Sequence, residues 1–157
     1  PSMGRDPTRG DHSAIVVIAR HARTRVDYVL AADIKRRNPA DAIERLLQYT
    51  QMYQVQSVVI EDNGFQQLLK EQVKSAAAGM GLRVYVTGVK NSANKHARIQ
   101  LLEPVVMQGK LRFNRAHTVL LEQLRQFPLA AHDDGPDALE MAVSYRPRRP
   151  RITTVSY

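Results

Sequence analysis

Hydrophobic and polar positions change period several times along this chain, and each change marks an element. Residues 13–19 are apolar almost without interruption, which predicts a strand covered on both faces. His21 to Arg25 is polar and turn-like, and a second β run covers Val26 to Ile34. So short a gap predicts a hairpin. The period then becomes helical. Asn38 suits a cap, Pro39 the first helical position and Asp41 the first turn. Ile43, Leu46, Leu47 and Tyr53 fall on one face of that helix. Val58-Val59-Ile60 predicts a short buried strand. A second amphipathic helix starts near Phe65, turns Leu68, Leu69, Val73 and Ala76 inward, and ends at Gly79 and Gly81. Leu82 to Val89 is the next strand. Ile99, Leu102 and Val106 predict a helix disturbed at Pro104. Past Gly109 come a short strand over 111–113, a helix over Thr118 to Gln126 and another over Pro136 to Ser144.

The resulting order is β-β-α-β-α-β-α-α-α, with the strand-like 111–113 left out of it. Adjacent β runs followed by βαβ alternation predict an α/β fold with a mixed sheet and helices on its faces. The length of 157 residues suits one domain. Residues 1–10 are turn-rich and aperiodic, residues 1–145 form the domain, and residues 146–157 form a basic tail carrying Arg146, Arg148, Arg149 and Arg151. With 43% hydrophobic and 24% charged residues the chain is of globular composition. The lack of Cys excludes a disulfide framework, a thiolate metal site and a Cys nucleophile. No apolar run approaches about 18 residues and no signal peptide is expected, so no membrane span is predicted. No P-loop motif occurs. The net charge of +8 changes the picture further, because it favours a polyanionic partner such as nucleic acid over a merely solubilising surface.

Carboxylates just after buried strands are the main chemical signal. Glu61 directly follows the apolar run 58–60. In open α/β sheets ligands sit at the carboxyl ends of strands, and a hard divalent cation selects oxygen ligands. Glu61 is therefore either a ligand or a strand-end solvating residue, whereas Asp62 and Asn63 suit solvation or a cap. The second cluster is His132-Asp133-Asp134-Gly135-Pro136-Asp137. Asp134 and Asp137 share a face at a helix start. They suit chelation of a metal, or an N-cap and a first-turn acid. His12, His21, His96 and His117 are scattered and lack metal spacing, and Ser13 and Ser92 lack the signature of an activated nucleophile. Lys90, Lys95 and Arg98 form either a basic patch for phosphates or a solvated face.

Five segments, GDHSAIVVIA, YVLAADIKRRNPADAIERLL, VVIEDNGFQQLL, NKHARIQLLEPVVMQGKLRF and HDDGPDALEMAV, taken in order and at this spacing, resemble the nuclease domain of the large terminase subunit of tailed phages. The resemblance runs from about Gly10 to Val143. It implies an RNase H-like fold that cuts concatemeric double-stranded DNA in the host cell cytoplasm during packaging. It implies two divalent ions, Mg²⁺ or Mn²⁺, and as partners an ATPase domain, a small terminase subunit and a portal protein. The strand-end acid of the family maps onto Glu61, and the acids of its last helix onto Asp134 and Asp137 with Asp133 beside them. One departure stands out. The family's first metal-binding Asp ends a first strand ahead of the G-D-[YH]-S-A segment. Read literally it would precede Pro1, leaving the first strand truncated, and Asp6, in Asp6-Pro7, is the alternative. Asp11 is expected in a loop. Under this reading Lys90, Lys95 and Arg98 hold the phosphate backbone without base readout, while one ion activates water and the other stabilises the leaving 3′ oxygen. The same acids fit another RNase H-like nuclease of resolvase or integrase type. A non-catalytic basic module that binds DNA or docks a motor would use them only as caps.

Overall fold

A computed structural model describes residues 11–62 and 66–146. Asp6, Asn63, Phe65 and the tail beyond Arg146 lie outside them. The strands β1 (Asp11–Arg20) and β2 (Asp27–Arg37) form the expected antiparallel hairpin, in register from Asp11 opposite Arg37 to Arg20 opposite Asp27. Asp11 is thus the first residue of β1 rather than a loop residue. The hairpin turn is closed by hydrogen bonds from His21 N to Val26 O and from Arg25 N to His21 O, both 2.9 Å.

The register slips between Val17 and Ile18, which face Ala31 and Val29 and leave Leu30 as the extra residue. A bulge of this kind reverses the phase of side chains along the strand. Val29 accordingly joins Leu111, Leu120, Leu139 and Val143 in one core, while Ala31 joins Val17 and Tyr49 in another. The sheet is therefore buried on both faces, as the unbroken apolar run of β1 requires.

Helix α1 (Pro39–Met52) begins as the sequence predicts, with the Asn38 carboxamide oxygen accepting from Asp41 N at 2.8 Å. It runs back along β2. Arg45 reaches Asp33 at 3.0 Å, and the Tyr53 hydroxyl donates to the Leu30 carbonyl at 3.4 Å. Strand β3 (Ser57–Glu61), helix α2 (Gln66–Gly79) and strand β4 (Tyr85–Val89) complete a parallel βαβ unit, with Val58, Ile60 and Val73 as its core. The β4 strand is shorter than the expected Leu82 to Val89.

Two helices replace the single disturbed one: α3 (Lys95–Gln100) and α4 (Leu102–Met107). Pro104 has no N–H and its ring crowds the carbonyl four residues back, that of Gln100. The chain therefore breaks at Leu101 and restarts with Pro104 in the first turn of α4, where no N–H is needed. Strand β5 (Leu111–Arg112) adds to β2 in parallel, and α5 (Thr118–Gln126) and α6 (Asp134–Ser144) follow. The fold is α/β with mixed pairing and flanking helices, as expected. Among the described residues the strands form two groups, β1-β2-β5 and β3-β4.

Candidate metal centre

The opening of α6 is held by close packing. A Cβ on Gly135 would come within 2.5 Å of Ile34 Cδ1 and 2.7 Å of Gln123 Oε1, so only glycine lets the helix start approach β2 and α5 this closely. Gly135 N donates to Gln123 Oε1 at 3.0 Å, and Pro136 is fully buried beside it. This fixes Asp134 as the first residue of α6. The N-cap position falls on Asp133, whose side chain makes no capping hydrogen bond.

Asp134 meets two imidazoles there. His12, at the start of β1, His132 and Asp134 each offer a ligand atom, and these atoms lie within 4.8 Å of one another. The His12 and His132 rings stack with centroids 4.1 Å apart, and Arg36 Nε donates to His12 Nε2 at 2.8 Å. Glu61, half-buried at the end of β3, lines the same cleft as His12, Asp134 and Asp137. Among the described residues, no hydrogen bond or ion pair engages the carboxylate of Glu61 or Asp134.

The remaining acids of α6 are engaged. Asp137 is 9% exposed; it accepts from Arg98 Nη2 at 2.9 Å and lies 3.4 Å from Lys95 Nζ. Lys95 also pairs with Asp133 at 2.8 Å. Arg98 pairs in addition with the buried Glu140, to which Ser144 Oγ donates at 2.6 Å. Burial alone would lower the pKa of Lys95. The hydrogen bond to Asp133 and the charges of Asp137 and Asp133 outweigh it, and the net shift is upward. Arg98 is raised in the same way, burial being outweighed by Asp137 and Glu140. Both side chains are therefore cations held against α6.

The structure thus brings Glu61, Asp134 and Asp137 to one cleft and lays Lys95 and Arg98 along its acidic helix. Lys90 is exposed just beyond β4. Sequence reasoning passed over His12 and His132 because no spacing links a strand residue to one so distant in the chain. The alternation of β1, which points His12 to the same side as Val16 and Ile18, is the signal that would have aimed it at α6. Glu140 was missed inside an apolar helical face. The donor set fits a divalent ion: carboxylate oxygens suit Mg²⁺ and Mn²⁺, and imidazole is compatible with Mn²⁺.

The family model of the terminase RNaseH-like domain matches residues 3–146. The chain belongs to this family. The match contains every element described above, so this terminase domain carries a nuclease-type fold, and RNase H-like nucleases generally use divalent metals. No curated protein matches the chain. Among the described residues, no helix is long and apolar enough to cross a membrane.

Proposed function

We propose that this chain is the divalent-metal-dependent endonuclease domain of a large terminase, cutting concatemeric viral double-stranded DNA as genomes are packaged in the host cell cytoplasm. One observation carries the reading: Glu61 and Asp134, two carboxylates with no cationic partner among the described residues, line one cleft in a member of the terminase family. Two Mg²⁺ or Mn²⁺ ions would be held by Glu61 and Asp134, with Asp137, Asp133 and Asp6 as the remaining candidate ligands. When bound, such ions supply a nucleophilic hydroxide, neutralise the scissile phosphate and offset charge on the leaving oxygen.

The protein's own residues do the positioning. Gly135 and Gln123 hold the start of α6, so the Asp134 carboxylate stays aimed at the cleft. Arg98 holds Asp137 and Glu140 in place and so acts as a positioning residue. Lys90 and the partly exposed Lys95 are left to contact the DNA backbone, without reading bases. The partners follow from the family: double-stranded DNA, the packaging ATPase domain, the small terminase subunit and the portal protein.

The test is plasmid cleavage together with calorimetric Mn²⁺ titration. Cleavage should require Mg²⁺ or Mn²⁺, and Glu61→Gln and Asp134→Asn should each weaken Mn²⁺ binding about tenfold or more. Cleavage that persists in excess chelator would refute the reading. Unchanged Mn²⁺ binding by both variants would favour a basic DNA-binding module whose acids are structural.

A further inference from the structure

Three side chains from distant parts of the chain converge at the opening of α6. His12 comes from the start of β1, His132 from the loop before α6, and Asp134 from the first turn of that helix. One donor atom of each lies within 4.8 Å of the other two. Glu61 lines the same cleft but is not part of this cluster. Asp134 therefore belongs to two donor sets at once. One is all oxygen, with Glu61. The other pairs its carboxylate with two imidazoles.

The two sets suit different ions. Mg²⁺ selects oxygen ligands and has little use for imidazole. Two imidazoles and one carboxylate select a borderline ion, Zn²⁺ above all, and leave its fourth position to water. The cluster is held in place from several sides. The His12 and His132 rings stack at 4.1 Å, and the packing of Gly135 against Gln123 fixes the turn that carries Asp134. Donors around a tetrahedral Zn²⁺ stand roughly 3.3 Å apart. The exposed ring of His132 can turn to close the difference. Arg36 is the cross-strand partner of His12 and donates from Nε to His12 Nε2 at 2.8 Å. That nitrogen thus presents its lone pair, the form in which an imidazole binds metal. The guanidinium beside it repels a cation and competes for the ring.

We propose that His12, His132 and Asp134 form a binding site for one Zn²⁺-like ion, which inhibits by taking Asp134 out of the donor set it shares with Glu61. Arg36 opposes the ion and sets how much of it is needed. The inhibitory half rests on the nuclease reading; the binding half does not.

Calorimetric titration with Zn²⁺ reads the site directly. The protein should bind one Zn²⁺ there, and His12→Ala and His132→Ala should each weaken that binding about tenfold or more. His21→Ala, at the far end of β1, should leave it unchanged. Arg36→Ala removes the competitor and should tighten it about fivefold. Should His12→Ala fail to fold, the exposed His132 still decides. Zn²⁺ binding that both histidine variants leave unchanged would overturn the proposal and make the stacked rings mere packing. The inhibitory half is read by electron paramagnetic resonance of Mn²⁺ rather than by cleavage. One equivalent of Zn²⁺ should release Mn²⁺ from the unaltered protein, and His132→Ala should raise the Zn²⁺ needed about tenfold. Mn²⁺ that stays bound beside Zn²⁺ would overturn inhibition through Asp134. If Glu61→Gln and Asp134→Asn both leave Mn²⁺ binding unchanged, it is the nuclease reading that fails, and the Zn²⁺ titration still decides the histidine site.

Discussion

Asp134 and Asp137 stand one helical turn apart and meet opposite surroundings. Asp137 is buried against Arg98 and Lys95, whereas Asp134 faces two imidazoles. Substitution should separate the roles. Asp134→Asn should leave the urea midpoint nearly unchanged while Mn²⁺ affinity falls. Asp137→Ala removes one carboxylate from a buried Arg98 and should cost about 2–4 kcal/mol in urea unfolding. A loss under about 1 kcal/mol would mean that Arg98 is satisfied by Glu140 alone. Asp33 tests the same physics with pH. Burial by itself would raise its pKa from 3.8, but hydrogen bonds from Arg37 and Arg45 overcome this and the net shift is downward. Its contribution is present above the ordinary aspartate value and is lost as pH falls through the lower folded value. Stability from this group should therefore hold from about pH 7 to 5 and drop below about pH 4. Asp33→Asn should shrink that acid-side drop in melts at pH 7, 5 and 3.

At the scale of elements, two local devices decide where the candidate metal centre sits. The bulge at Leu30 switches β2 between cores, placing Val29 under α6 and Ala31 under α1. Gly135 then lets α6 seat closely enough for Asp134 to meet His12. Gly135→Ala forces Ile34 or Gln123 to shift and should destabilise the protein by about 1–3 kcal/mol. The same substitution should weaken Mn²⁺ binding although it removes no ligand. Thermal melts and Mn²⁺ calorimetry on the one variant check both outcomes, and an unaltered Mn²⁺ affinity would uncouple the packing from the site. The start of α1, by contrast, was legible in sequence, since Asn38-Pro39 marks it locally. The break at Leu101 was legible only as a disturbance near Pro104, because where a helix yields depends on what its two halves pack against.

For the whole molecule, the +8 charge is the governing quantity. If DNA is held through its phosphates, raising salt from about 50 to 200 mM should weaken binding about tenfold for every two phosphates neutralised. Fluorescence anisotropy with two unrelated duplexes checks this, and the duplexes should bind alike because no base-reading element is evident. A salt-independent affinity would remove phosphate contact from the account. Part of the basic charge is internally engaged: Arg20 with Asp27, Arg37 and Arg45 with Asp33, and Arg98 with Asp137 and Glu140. These pairs cancel within the net charge, so the +8 rests on the other basic residues.

By itself the sequence determined most of the order of strands and helices, though not the place of β5 or the split into α3 and α4, together with the α/β class and the acids at strand and helix ends. Periodicity, capping and turn chemistry act over a few residues, and these features are written locally. Only the tertiary structure decided that the described strands form two groups with a cleft between them. It also decided that, among the described residues, Asp137 is paired while Asp134 is not, and that His12 reaches His132. Each of these depends on contacts between residues far apart in the chain, where close packing and the pairing of buried charges, rather than local pattern, select the partner.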